Sequence, residues 1–143
     1  MRARALAGMV LLGMVTAACE SPYQQGVQRV TVPGGTNVYF KRETAGFNSD
    51  QLGLTTDGNP CHRLDESKDY VYPELGPLEV YFAIQQGTIT IYSSSELRKP
   101  ATNTFPLRVN SVVLSPLDFQ EMERSYRSRG LTKVSVEASR DNC

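Results

Sequence analysis

The chain has 143 residues, with 15 basic and 15 acidic side chains, so its formal net charge at pH 7 is zero when the one histidine is neutral. This length is sufficient for one domain with a hydrophobic core. The sequence contains no basic stripe, which argues against nucleic acid as a partner. Seven tyrosines, no tryptophan and dispersed Gly and Pro residues are typical of a small strand-rich domain with many turns.

The N-terminus has the layout of a secretory signal peptide. Arg2 and Arg4 form a short positive end, and the stretch that follows is apolar and uncharged to the end of the segment. The stretch is short for a membrane-spanning helix, which needs about 20 apolar residues. A buried N-terminal helix is the alternative, but Gly8 and Gly13 weaken a helix. We therefore expect residues 1–18 to be a signal peptide that is removed.

The segment ends in Thr16-Ala17-Ala18-Cys19, which resembles the lipobox of bacterial lipoproteins. The resemblance implies cleavage before Cys19, a thioether from its sulfur to diacylglycerol, and acylation of the new amino terminus, with palmitate among the expected acyl groups. Each buried methylene contributes about 0.8 kcal/mol, so two or three chains anchor a protein without a spanning helix. Glu20 follows, where aspartate commonly signals inner-membrane retention, and this resembles outer-membrane sorting. Ordinary secretion, with Cys19 left as a thiol, is the alternative.

The mature chain is expected to be slightly acidic. Removing 18 of the 143 residues leaves 125 and takes away two of the 15 basic side chains, so 13 basic residues face 15 acidic ones and the net charge is about −2. We interpret residues 19–26 as the lipid anchor and a short tether. Residues 27–143 are then a single globular domain.

Two cysteines remain besides the anchor, Cys61 and Cys143. In an oxidising envelope such an even pair predicts a disulfide. The bridge would close a loop of about 80 residues, which the chain-entropy model values at roughly 4 kcal/mol. Two free thiols are the alternative.

Alternation of apolar and polar residues predicts short strands in the first half of the chain. The stretches VQRVTV (27–32) and TNVYFKRE (36–43) are separated by the turn residues PGG. The loop-like residues 44–51 follow. The stretches QLGLTT (51–56) and DYVY (69–72) then predict two further short strands.

The stretch LEVYFAIQQGTITIY, residues 78–92, predicts a β-hairpin. A two-residue loop at Gln86-Gly87 gives a self-consistent register, with Gly87 supplying a positive φ. The resulting cross-strand pairs are Gln85 with Thr88, Ile84 with Ile89, Phe82 with Ile91, and Tyr81 with Tyr92.

The last part of the chain predicts a strand, a helix and a strand. PLRVNSVVLS reads as a strand, and a helix over about 116–129 follows it. Ser115 is placed to cap this helix, Pro116 suits its first turn and Gly130 closes it. LTKVSVEAS (131–139) predicts the final strand. The fold class is therefore α+β, with a small antiparallel or mixed sheet packed by one late helix.

No catalytic constellation is visible. Cys61 and His62 are adjacent, but neighbours on an extended chain point to opposite sides, and a disulfide-bonded cysteine is no nucleophile. A metal site would need more soft ligands, and the acids after Asp57 do not follow the calcium-loop spacing. We interpret His62 as a loop histidine near the disulfide, and Asp57 as part of a turn. We expect no cofactor, no metal and no catalytic residue.

Three tyrosines are the remaining candidates for binding a partner. Tyr39, Tyr81 and Tyr92 all alternate with core-forming apolar residues and so face away from the core. The functional interpretation is a recognition face, because tyrosine is enriched in binding hot spots. The structural alternatives are a cross-strand pair that stiffens an exposed sheet, or a pair that the helix covers.

The sequence therefore favours a non-enzymatic, membrane-anchored lipoprotein. We expect its domain on the periplasmic side of a membrane, with an envelope protein or polymer as partner. An immunity-type inhibitor of a periplasm-acting toxin is one alternative. A glycan or peptidoglycan hydrolase that acts through carboxylates is another.

Overall fold

The computed structural model describes residues 23–45, 50–73, 78–102 and 104–137, except for the side chains of Tyr23, Gln24 and Ala45. The predicted signal peptide, Cys19 and Cys143 lie outside these ranges. The described residues form eight strands and one helix, arranged as two four-stranded sheets. The α+β class with a late helix is thus confirmed, but the strands divide between two sheets rather than forming one.

The first sheet is an antiparallel meander of four consecutive strands, in the order β1-β2-β3-β4. β1 already starts four residues before the predicted domain boundary, so part of the predicted tether belongs to the sheet. The turn after β1 uses two glycines with positive φ, Gly34 and Gly35. The strands are β1 (Tyr23–Thr31), β2 (Asn37–Ala45), β3 (Asp50–Thr55) and β4 (Tyr70–Val71).

The second sheet is mixed, in the order β7-β6-β5-β8. The β5–β6 hairpin has the predicted register from Gln85↔Thr88 to Tyr81↔Tyr92. Its two-residue turn has φ of 48° at Gln86 and 74° at Gly87, as a type I′ turn requires. β7 pairs with β6 in parallel. The strands are β5 (Tyr81–Gln85), β6 (Thr88–Ser93), β7 (Arg108–Val113) and β8 (Thr132–Lys133).

The core lies between the two sheets. Phe40 of β2 meets Phe82 of β5 with ring centroids 5.1 Å apart. The apolar side chains that alternate with polar ones along each strand point into this layer, as the period of two requires. Its fully or nearly fully buried members include Val38, Phe40, Leu54, Val80, Ile89 and Ile91.

The helix α1 (Pro116–Ser125) begins at the predicted cap. The Asp118 N–H donates to Ser115 Oγ at 3.2 Å, and Ser115 Oγ donates to Asp118 Oδ2 at 2.6 Å. The predicted end near residue 129 is wrong, because α1 ends at Ser125 and a turn closes on Gly130, whose φ is 72°.

Of the predicted last strand over residues 131–139, the structure describes residues 131–137, and most of these are not in a strand. β8 contains only two residues, paired with β5. The chain then crosses from one sheet to the other, since the Val134 N–H donates to Val80 O at 2.8 Å and the Ser135 N–H donates to Gln28 Oε1 at 2.7 Å. Val134 and Val136 are buried in the common core, so this segment connects the two sheets along one side.

Candidate functional site

Tyr81 is part of the packing between the second sheet and the helix. Its ring is 0% exposed, and ring centroids lie 4.9 Å away at Tyr126 and 5.9 Å away at Phe119. Burial, the largest influence, raises the pKa of Tyr81. The interpretation of Tyr81 as a partner-binding residue is therefore wrong, because α1 covers that part of the sheet.

Tyr92, opposite Tyr81 in the hairpin, has a different environment. It is half-buried and lines a cleft of about 520 Å³ between the outer face of the second sheet and the turn after α1. We call this the Tyr92 cleft. Polar side chains of β5 and β6 form much of its lining, and the turn after α1 contributes the rest. Lining residues include Gln85, Thr88, Thr90, Arg108, Arg129 and Leu131.

Two arginines border the Tyr92 cleft, and only one of them forms an ion pair with a described residue. Arg129 Nη2 donates to Glu121 Oε1 at 2.8 Å on the exposed surface. Arg108, at the start of β7, is exposed and pairs with no carboxylate among the described residues. A cleft lined by a phenol ring and by a guanidinium without a carboxylate partner among the described residues is suited to an anionic or polar group on a partner.

Tyr39 lies on the opposite side of the molecule from Tyr92. Because Phe40 and Phe82 meet in the core, their strand neighbours Tyr39 and Tyr81 point out of opposite sheets. Tyr39 is half-buried against the loop after β3, and a Cβ at Gly58 would lie only 2.5 Å from its Cζ. The expectation that the three tyrosines form one recognition face is therefore wrong.

The outer face of the first sheet buries charged groups under a loop. Lys41 is 0% exposed, and its Nζ donates to the carbonyl oxygens of Asn59 at 3.0 Å and of His62 at 2.9 Å. Glu43, two residues further along β2, is also buried and accepts a hydrogen bond from the Leu64 N–H. The two side chains thus provide partners for backbone groups of the segment 56–69, which would otherwise lack them when buried.

The same segment contains Cys61 and His62. Cys61 is disulfide-bonded, and since Cys19 and Cys143 both lie outside the described residues, the Cys61–Cys143 pairing stays a prediction. His62 is exposed, with Nδ1 at 2.7 Å from Asp57 Oδ2.

Asp57 is held within this turn by its neighbours. The Asn59 N–H donates to Asp57 Oδ1 at 2.9 Å, and this bond is the main reason that the pKa of Asp57 is lowered. The hydrogen bond to His62 acts in the same direction. These contacts join His62 to residues of its own loop.

No group of three or more His, Cys, Asp and Glu side chains that could hold a metal occurs within the described ranges. In the same part of the chain, no helix is long and apolar enough to cross a membrane. No family model, curated protein or solved structure matches the chain.

Sequence reasoning missed two features of these surfaces. Arg108 comes to the cleft that Tyr92 lines, opposite Thr88, only because β7 pairs in parallel with β6, and the long loop between the two strands carries no sign of that pairing. Lys41 was visible as a polar residue alternating with core positions. Its burial depends on a loop that no local pattern places over it.

Proposed function

We propose that this chain is a lipid-anchored lipoprotein of the bacterial cell envelope, and that its domain is a non-enzymatic binding module. In this proposal residues 1–18 are removed and Cys19 carries the lipid. The protein faces the periplasm, at the outer membrane if the residue after Cys19 directs sorting in this organism. The observation that carries the proposal is the stretch Thr16-Ala17-Ala18-Cys19 at the end of an apolar leader.

The Tyr92 cleft supports the binding part of the proposal. Tyrosine and arginine are enriched among the residues that dominate binding energy at interfaces. Here a half-buried tyrosine and Arg108 share one open cleft. An envelope protein or polymer that presents an anionic group to this cleft is the partner that the chemistry favours.

Cross-linking in living cells tests this function. The full-length protein, with a C-terminal affinity tag, is cross-linked in the envelope and purified under denaturing conditions. We expect a reproducible cross-linked partner for the wild type. We expect that partner to be lost in Tyr92→Ala and kept in the matched control Tyr39→Ala, whose ring lies on the opposite side.

Melting temperatures of both variants show whether a loss of partner follows from unfolding. A wild type that yields no specific cross-link would contradict the binding function. A partner kept by the folded Tyr92→Ala variant would remove the Tyr92 cleft from the proposal.

A further inference from the structure

β7 is an open edge of the second sheet. In the order β7-β6-β5-β8 it pairs on one side only. Two other edges, β4 and β8, contain two residues each. The edge at β1 is approached by the C-terminal segment, where the Ser135 N–H binds the side chain of Gln28. β7 is thus the longest edge that no described strand or segment covers. Proteins usually protect such an edge against pairing with other chains or use it to bind one.

The free hydrogen-bonding groups of β7 can be assigned from its pairing with β6. The Arg108 N–H donates to Gly87 O at 3.1 Å, and the Leu114 N–H donates to Ser93 O at 2.8 Å. Backbone groups alternate in direction along a strand, so residues of even number in β7 face β6. The N–H and C=O groups of Val109, Ser111 and Val113 therefore face away from the sheet.

A cleft of about 480 Å³, lined by both apolar and charged side chains, lies beside this edge, and we call it the edge cleft. Val109 and Ser111 belong to its lining, on the side of β7 that faces the first sheet. Tyr70 and Phe105 form one wall, packed edge to face with centroids 5.2 Å apart. A strand added to β7 would direct alternate side chains towards this cleft.

The edge cleft has a positive rim. Lys99 and Arg108 are its only charged lining residues among those described, and both are exposed. Neither forms an ion pair within the described ranges, whereas the neighbouring Arg98 binds Glu66 at 3.1 Å. Arg108 also borders the Tyr92 cleft, so the two clefts share this residue at the start of β7.

We propose that β7 binds an extended, acidic segment of another protein as an additional strand. Backbone hydrogen bonds would join the segment to Val109, Ser111 and Val113, and an apolar side chain would enter the edge cleft. Acidic residues of the segment would pair with Lys99 and Arg108. Such strand addition takes affinity from backbone bonds and specificity from alternate side chains. The inference rests on the proposed binding function and names its partner class.

Peptide selection tests the proposal with a defined probe. A phage-displayed library of random linear peptides is selected against the full-length protein in detergent micelles. We expect enriched peptides that alternate apolar residues and contain Asp or Glu. Their affinity should fall about tenfold or more in Ser111→Pro, which removes an outward N–H without touching the β6 ladder. The matched control Ser111→Ala keeps that N–H and should keep the affinity.

Charge provides a second, independent measurement. Lys99→Gln should weaken the same peptides by a few-fold, and the effect should shrink as salt is raised. Arg29→Gln removes an exposed cation from β1 in the other sheet, and we expect no change. Equal weakening by both variants would mean that only the net charge matters and would overturn the assignment to this rim.

If Ser111→Pro does not fold, amide hydrogen exchange on the wild type tests the proposal instead. The amides of Val109, Ser111 and Val113 should become protected when an enriched peptide binds. Unchanged exchange at these amides, or a library without enriched peptides, would overturn the proposal. A dimer of this chain that is lost in Ser111→Pro would also overturn it, in favour of a second copy as the occupant.

The two proposals fail in different ways. If cross-linking in cells still yields a partner while no peptide protects β7, only the added strand is wrong. If no cross-linked partner exists at all, the binding function itself is wrong.

Discussion

The outer faces of the two sheets come from the same alternation of side chains but are covered by different structures. On the second sheet, α1 covers Tyr81 with aromatic rings. On the first sheet, the segment 56–69 covers Lys41 and Glu43, which bind its backbone carbonyl and N–H groups. One face is closed by apolar contact and the other by hydrogen bonds between charged side chains and the backbone of the covering loop.

The difference follows from what each cover needs. A helix satisfies most of its own backbone groups internally and can present an apolar stripe to a sheet. A loop has backbone groups without internal partners, and burying them unpaired is costly. A strand that lies under a loop therefore benefits from polar side chains, and a strand that lies under a helix benefits from apolar ones.

Among the substitutions that test this comparison, replacing Tyr81 should lower the free energy of unfolding most. Tyr81→Ala removes a fully buried ring between the sheet and α1, and we expect the free energy of unfolding to fall by about 3 to 5 kcal/mol. Tyr92→Ala, at the half-buried partner position, should cost about 1 kcal/mol or less. Urea denaturation measures both. Equal losses of unfolding free energy in the two variants would mean that α1 does not bury the Tyr81 ring more than the Tyr92 ring.

Tyr81→Phe sharpens the same test. The Tyr81 hydroxyl is buried and has no hydrogen-bond partner among the described residues. Removing it should leave the free energy of unfolding unchanged or slightly raised, since no bond is lost. A clear loss of stability would show that the hydroxyl does have a partner.

Replacing Lys41 tests the loop-covered face. Lys41→Met keeps an unbranched side chain, one atom shorter, but leaves two part-buried carbonyl oxygens without their donor, and we expect the free energy of unfolding to fall by about 2 to 4 kcal/mol. Lys68→Met, in the same loop but exposed, should change stability by about 0.5 kcal/mol or less. If urea denaturation gives the two variants the same midpoint, the loop does not depend on the buried ammonium group.

A buried polar group between the sheets gives a third test, read at alkaline pH. Burial raises the pKa of Tyr72 to about 12, against the smaller opposing effect of its hydrogen bond to Ser93. Because the folded pKa lies above the unfolded value of about 10, the stabilisation is full below pH 10 and is lost as pH rises through 12.

The expected loss over this interval is about 2 to 3 kcal/mol. Denaturation midpoints measured across the interval should fall steeply for the wild type and less steeply for Tyr72→Phe. If the midpoint falls equally steeply with pH in both proteins, ionisation of Tyr72 is not the cause of the alkaline loss of stability.

The features that the sequence predicted correctly are local ones. The hairpin register depends on one turn, Gln86-Gly87, and on the residues beside it. The helix start depends on Ser115 and the three residues after it. The helix end was placed too late because the turn up to Gly130 keeps helix-like residues without continuing α1.

What could not be predicted depends on contacts between distant parts of the chain. The parallel pairing of β7 with β6 brings Arg108 into the lining of the Tyr92 cleft, and only the folded sheet shows it. The same holds for the cover over each outer face. Alternation placed both Tyr81 and Lys41 opposite the core, and nothing in their neighbours says that one would lie under aromatic rings and the other under backbone carbonyls.

The attachment of lipid at Cys19 is the central claim of the functional account, and mass spectrometry of the mature protein tests it most directly. The full-length chain is expressed in a bacterium that processes lipoproteins, extracted from membranes with detergent, and its N-terminal peptide is analysed. We predict a chain that begins at Cys19 and carries the added mass of diacylglycerol, and a Cys19→Ser variant that lacks it. A mature wild type that begins at Cys19 with no added mass, or an uncleaved precursor without lipid, would contradict the account.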